Sequence, residues 1–201
     1  MRAEASYPQQ LDAFLARHAG GLSLPSVPAI YHAVRNLIYA SDGNRDPAIV
    51  LKTGRGACTG KHILLRDLLR RVGWHADVEF AAGDFARGMP AVASMPEALA
   101  RWVRAGGIRD FHCYVVWHDG MREKKLDATW PDALAPLGFP VNAAWDGSGD
   151  TLIALTPDGH ISRAEDVIEH KAKLVATLSE QQRKDRRSFL ELLTKWMPEE
   201  A

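Results

Sequence analysis

Cys58 is the side chain whose setting most favours attack on a carbonyl. It follows Gly54-Arg55-Gly56-Ala57 and opens a stretch in which Ile63, Leu64, Leu65, Leu68, Leu69 and Val72 recur at helical spacing. A thiol in the first turn of a helix feels the positive end of the macrodipole and meets unpaired backbone N–H groups. Both favour the thiolate, and the same amides can stabilise an oxyanion. The second cysteine, Cys113, lies on a strand-like run over 111–118 and shares a face with Phe111, Val115 and Trp117. That alternation marks it as a small core hydrophobe.

A thiol nucleophile needs a base, and the chain offers eight histidines. Asp119-Gly120 reads as a two-residue hairpin loop between strand-like runs. Counting back from that loop sets His118 opposite Met121, Tyr114 opposite Lys125 and His112 opposite Asp127. Opposed residues share a face, so the imidazole can donate to the carboxylate, which holds the ring in one tautomer and stabilises its cation. His62, four residues after Cys58 on the same helix face, offers the alternative of a Cys58/His62 metal pair. A structural zinc site needs four ligands, and no second Cys/His pair with suitable spacing exists, so no metal is expected. His18, His32, His75, His160 and His170 have no partner identifiable from sequence.

These residues need a frame. Helices are predicted over 8–19, with Gly20-Gly21 as the stop, from after Ser26 to about Tyr39, over 46–52 as a short turn, and from Cys58 to Val72 with Gly73 as its end. Lys61, Arg66, Asp67, Arg70 and Arg71 fall outside the apolar face of that last helix. A strand over 75–81 and a helix from Met95 to about Ala105 precede the paired strands 111–118 and 121–129. Residues 130–150 read as loop and 151–155 as one more short strand. The segment 163–197 is mostly helical, with Ser179 and Gln182 as a capping box, and its Arg183, Lys184, Arg186 and Arg187 read as a solvated helix face.

The chain has 201 residues, 46% hydrophobic and 25% charged, and 25 basic residues balance 25 acidic ones. It is read as one domain over 1–201, with a core over about 27–156 and a helical extension over 160–198. Zero net charge gives no global attraction to nucleic acid or acidic membranes, so neither is an expected partner. No apolar run suits a signal peptide or a membrane span, so the expected address is cytoplasmic and both cysteines are expected as free thiols.

The quoted segments resemble the transglutaminase-like superfamily. Gly56-Ala57-Cys58 leading a leucine-rich helix that ends in Val72-Gly73 resembles its nucleophile segment, His112-Cys113-Tyr114-Val115 its histidine strand, and Leu126-Asp127-Ala128-Thr129 its aspartate motif. The resemblance covers roughly 34–130, with a weaker echo in Trp145-Asp146-Gly147. Ala57 stands where a polar residue often precedes the cysteine, and Val116 where an acidic residue often follows the histidine. The resemblance implies a papain-like α+β fold, in which a nucleophile helix packs on an antiparallel sheet between N- and C-terminal helices. It also implies Cys58, His112 and Asp127 as catalytic residues, Tyr39 as a contributor to the oxyanion site, and no cofactor.

The expected activity is cysteine-dependent acyl transfer. A thioester forms at Cys58 from a peptide, protein or small amide or acyl substrate and is released to water, as in a protease or amidase, or to an amine, as in a transamidase. The alternative is a non-catalytic peptide- or protein-binding module on the same fold.

Overall fold

A computed structural model describes residues 5–18, 25–120 and 122–197. The elements in order are α1 (Tyr7–His18), α2 (Val27–Arg35), β1 (Ile38–Tyr39), α3 (Pro47–Thr53), β2 (Arg55–Gly56), α4 (Cys58–Arg71), β3 (His75–Asp84), α5 (Glu97–Ala105), β4 (Arg109–Asp119), β5 (Arg122–Leu126), β6 (Thr156–Arg163), α6 (Val167–Ala176) and α7 (Glu180–Trp196). Short 3-10 turns occupy Ala86–Gly88 and Asp132–Leu137. No helix among the described residues is long and apolar enough to cross a membrane.

The architecture is α+β. An antiparallel sheet in the order β5-β4-β3-β6 carries helices on both faces. Alternation along β4 decides which side chain goes where. Phe111, Cys113, Val115 and Trp117 join Leu64, Leu65, Leu68 and Leu69 of α4 in one core. Tyr114 and Val116 join Leu99 and Val103 of α5 and Phe189 and Leu193 of α7 in a second core. A central strand buried on both faces accounts for the nearly unbroken apolar run of β4.

α4 begins at Cys58, as its spacing predicts, and the chain leaves it through Gly73 at φ +90°. The amide of Lys61 makes the first helical bond, to the Ala57 carbonyl at 3.1 Å, so the amides of Cys58, Thr59 and Gly60 precede the ladder. α7 opens with the expected capping box of Ser179 and Gln182.

Four expectations are corrected. α2 stops at Arg35, because Ile38 and Tyr39 leave the helix to pair in parallel with Arg55 and Gly56. The sixth strand is Thr156–Arg163, against the edge of β3, and not 151–155. Lys61 is fully buried despite its place off the apolar stripe, because its ammonium donates to the carbonyls of Arg35 (2.9 Å), Leu37 (2.8 Å) and Thr129 (2.9 Å). The hairpin register is shifted by two residues: Asp119 opposes Arg122, His118 opposes Glu123, and the ladder ends at Val115 with Leu126. The predicted stop at Gly20-Gly21 and the partner Met121 lie outside the described residues.

Candidate active site

A two-residue shift preserves the side-chain parity of a strand, so the hairpin still delivers His112 and Asp127 to one place. Asp127 lies just past the end of β5, and the His112 Nε2–H donates to its Oδ2 at 2.6 Å. Both side chains are buried. The carboxylate is held on all sides. The amide of Ala154 donates to Oδ2 at 2.8 Å, and the amide and hydroxyl of Thr129 donate to Oδ1 at 3.0 and 2.5 Å. Its backbone is fixed as well. The Tyr31 hydroxyl donates to the Asp127 carbonyl at 2.9 Å, and the Asp127 amide donates to Thr151 Oγ1 at 2.7 Å.

Burial alone would raise the Asp127 pKa, but His112 and these donors hold it well below the ordinary carboxylate range. Burial likewise disfavours the His112 cation, yet Asp127 and Cys58 carry its pKa up to about 10. With Nε2 committed to Asp127, Nδ1 of His112 is buried without a hydrogen-bond partner among the described residues.

Cys58 lies at the start of α4 and is 6% exposed. The neighbouring Cys113 thiol and His112 imidazole hold its pKa well below the usual thiol value, against the opposing effect of burial. Burial pushes Cys113 the other way. Cys113 occupies the core face predicted for it, but its Sγ also lies 3.8 Å from Thr59 Oγ1 and 3.9 Å from His62 Nδ1. Its place beside Cys58 is not readable from strand alternation, because the two thiols come from different elements.

His62 is fully buried and has both nitrogens occupied. The Ala128 amide donates to Nε2 at 2.8 Å, so the ring proton sits on Nδ1, which donates to the Cys58 carbonyl at 2.7 Å. The 3.4 Å approach of Nε2 to Asp127 Oδ1 is therefore no ion pair. The ring joins the nucleophile helix to the aspartate loop, and neither nitrogen remains for a metal shared with Cys58.

Tyr39 reaches the site because β1 pairs beside β2, which leads directly into Cys58. It is buried, stands 5.0 Å from Trp130 by ring centroids, and lines the 60 Å³ hollow that contains Cys58. Burial, with Cys58 close by, pushes its hydroxyl pKa well above the ordinary value.

The C-terminal helices supply residues that sequence reasoning did not place at the site. Asp110, buried in the same hollow, pairs with Lys171 of α6 at 2.8 Å and with Arg186 of α7 at 2.9 Å. Lys171 also donates to the Phe111 carbonyl. Burial would raise the Asp110 pKa, but the two cations hold it far below the usual range. The expectation that Arg186 belongs to a solvated helix face is thus corrected. Its turn of α7 faces β4, and its side chain is 16% exposed.

No protein-family model matches the chain, and no curated protein matches it. Among solved structures, it is similar to that of the "Putative Cysteine Protease" from Cytophaga hutchinsonii, with 17% identity and a TM-score of 0.43 over 78% of this chain and 48% of that one. The chain therefore spans about half the length of that structure. A likeness this distant says nothing of the activity of this chain.

Proposed function

We propose that the chain is a cysteine-dependent acyl-transfer enzyme of the transglutaminase-like type. The observation that carries this reading is the buried His112–Asp127 hydrogen bond at 2.6 Å, which leaves Nδ1 of the same ring unpartnered beside a thiol at a helix N-terminus. In the resting site Cys58 is the thiolate and His112 the imidazolium.

Cys58 Sγ attacks the carbonyl carbon of a peptide-like amide, and the C=O electron pair moves onto oxygen. The first-turn amides of α4 stabilise that oxyanion, with the Tyr39 hydroxyl as a further donor. His112 gives its proton to the leaving nitrogen, the C–N bond breaks, and a thioester remains on Cys58. Water or an amine then attacks the thioester while His112 takes its proton. Collapse returns the thiolate and releases an acid or a new amide. Asp127 keeps the imidazole in one tautomer and stabilises its cation throughout.

Iodoacetamide alkylation tests the pair without a known substrate. Rates at Cys58 and Cys113 are read separately by peptide mass mapping across pH, for the wild type and His112→Ala. The reading requires Cys58 to react well below the ordinary thiol pKa of about 8.5, Cys113 to stay inert, and His112→Ala to abolish the low-pH reactivity. An ordinary titration of Cys58, unchanged in His112→Ala, would instead favour a binding module on this fold.

A further inference from the structure

The hollow at Cys58 holds only about 60 Å³, too little for more than the reacting carbonyl, but two larger lobes of about 380 and 370 Å³ adjoin it. Ser41, Gly43, Arg186 and Leu190 wall both the thiol hollow and the first lobe. Arg45 walls both the thiol hollow and the second lobe, and Val175 and Arg183 are common to the two lobes. The three spaces share walls built from the 41–45 loop and helices α6 and α7.

Its walls carry an excess of positive charge in a chain whose formal net charge is zero. Lys171 and Arg186 share the single carboxylate of Asp110. Arg183 donates to the carbonyls of Ala176 and Leu178 and meets no carboxylate among the described residues. Arg45, half-buried, and Arg187, exposed, have no ion-pair partner among the described residues. Against these stand only Asp42, which accepts the Asn44 amide at 2.9 Å, and Glu191. A guanidinium left half-buried without a counter-ion beside a reactive thiol is an anion-binding group in waiting.

We infer that the enzyme takes acyl donors carrying an anionic group a few bonds from the scissile carbonyl, with Arg45 and Arg187 binding that group in the lobes flanking Cys58. This rests on the thiol-enzyme reading above. The donor enters with its carbonyl in the narrow hollow and its carboxylate, or another anionic substituent, against Arg45 in one lobe or Arg187 in the other. Lys171 and Arg186, which share the one carboxylate of Asp110 and so keep one positive charge between them, hold the wall in place.

Iodoacetate and iodoacetamide differ by one charge and almost nothing in size, so their rate ratio at Cys58 reports the field that a substrate meets. The ratio is measured at low salt on the full chain by mass mapping and compared with that of the neutral thiol N-acetylcysteinamide. The proposal expects Cys58 to favour iodoacetate about fivefold or more beyond the free thiol, as a charge excess in the walls around the thiol implies. The Arg45→Gln/Arg187→Gln double variant should lose most of that preference and Arg45→Lys/Arg187→Lys should keep it, with thermal melting showing both folded. A ratio equal to that of the free thiol overturns the proposal. So does a raised ratio indifferent to the arginine variants, because the His112 cation or the Lys171–Arg186–Asp110 cluster would then be its source. Cys58 inert to both reagents would overturn the thiol-enzyme reading itself, which the iodoacetamide rate reports independently of the ratio.

Discussion

His62 accepts the backbone N–H of Ala128 at 2.8 Å, and that bond, with the one from Lys61 to the Thr129 carbonyl, joins the helix that opens with Cys58 to the loop that carries Asp127. The other nitrogen of the ring holds the Cys58 carbonyl at 2.7 Å. The relative position of thiol and carboxylate is thus set by residues that do neither job.

Replacing His62 by Ala strands the buried Ala128 amide and leaves a cavity. It should cost about 3 kcal/mol of stability, the combined order of an unsatisfied polar group and lost packing. Urea denaturation measures it. A loss under about 1 kcal/mol would mean that the His62 bonds contribute little to holding the site.

The proton on His112 gives a pH signature. Its folded pKa is raised to about 10 from an ordinary value of about 6.5. The stabilisation it brings is therefore fully present below about pH 6.5 and is lost as pH rises through about 10. NMR of the imidazole should find it protonated throughout the neutral range. Asp127→Asn should bring its titration down toward neutrality and slow turnover roughly a hundredfold or more, because the tautomer and the cation both lose their support. Titration near 6.5 in the wild type would remove the basis for a resting ion pair.

Gly60 lies in the first turn of the thiol helix, where an added Cβ would come within 2.8 Å of Val50 Cγ2 on α3. Gly60→Ala should therefore destabilise by about 1–3 kcal/mol, despite the better helix propensity of alanine. Gly60→Ala/Val50→Ala should recover part of the loss. A double-mutant cycle by denaturation with no coupling between the sites would show that the contact is not what requires glycine.

Asp110 is the single carboxylate between Lys171 and Arg186, all three largely buried. Asp110→Ala leaves two buried cations uncompensated and should cost about 3–5 kcal/mol. Limited proteolysis should then release α6 and α7 ahead of the sheet. Unchanged stability with the tail still protected would show that apolar packing alone docks these helices.

Local spacing is enough to read the helix opening at Cys58, the capping box at Ser179, the hairpin strands, and the shared face of His112 and Asp127. The last of these survives a register read two residues out, because parity repeats every second residue. Each of these features depends on neighbours close in sequence.

The features that escape the sequence depend on distant partners. Lys61 looks solvated until three carbonyls from α2, its C-terminal loop and the segment after Asp127 converge on its ammonium. Tyr39 belongs to a helix by its pattern and to a strand by its pairing with Gly56. His62 resembles half of a metal pair until the Ala128 amide fixes its tautomer. Arg186 sits in a basic run of ordinary appearance, and only the packing of α7 on β4 brings it to Asp110. Burial of a charge is decided by what lies opposite it in space, and a linear pattern of polar and apolar residues carries no record of that.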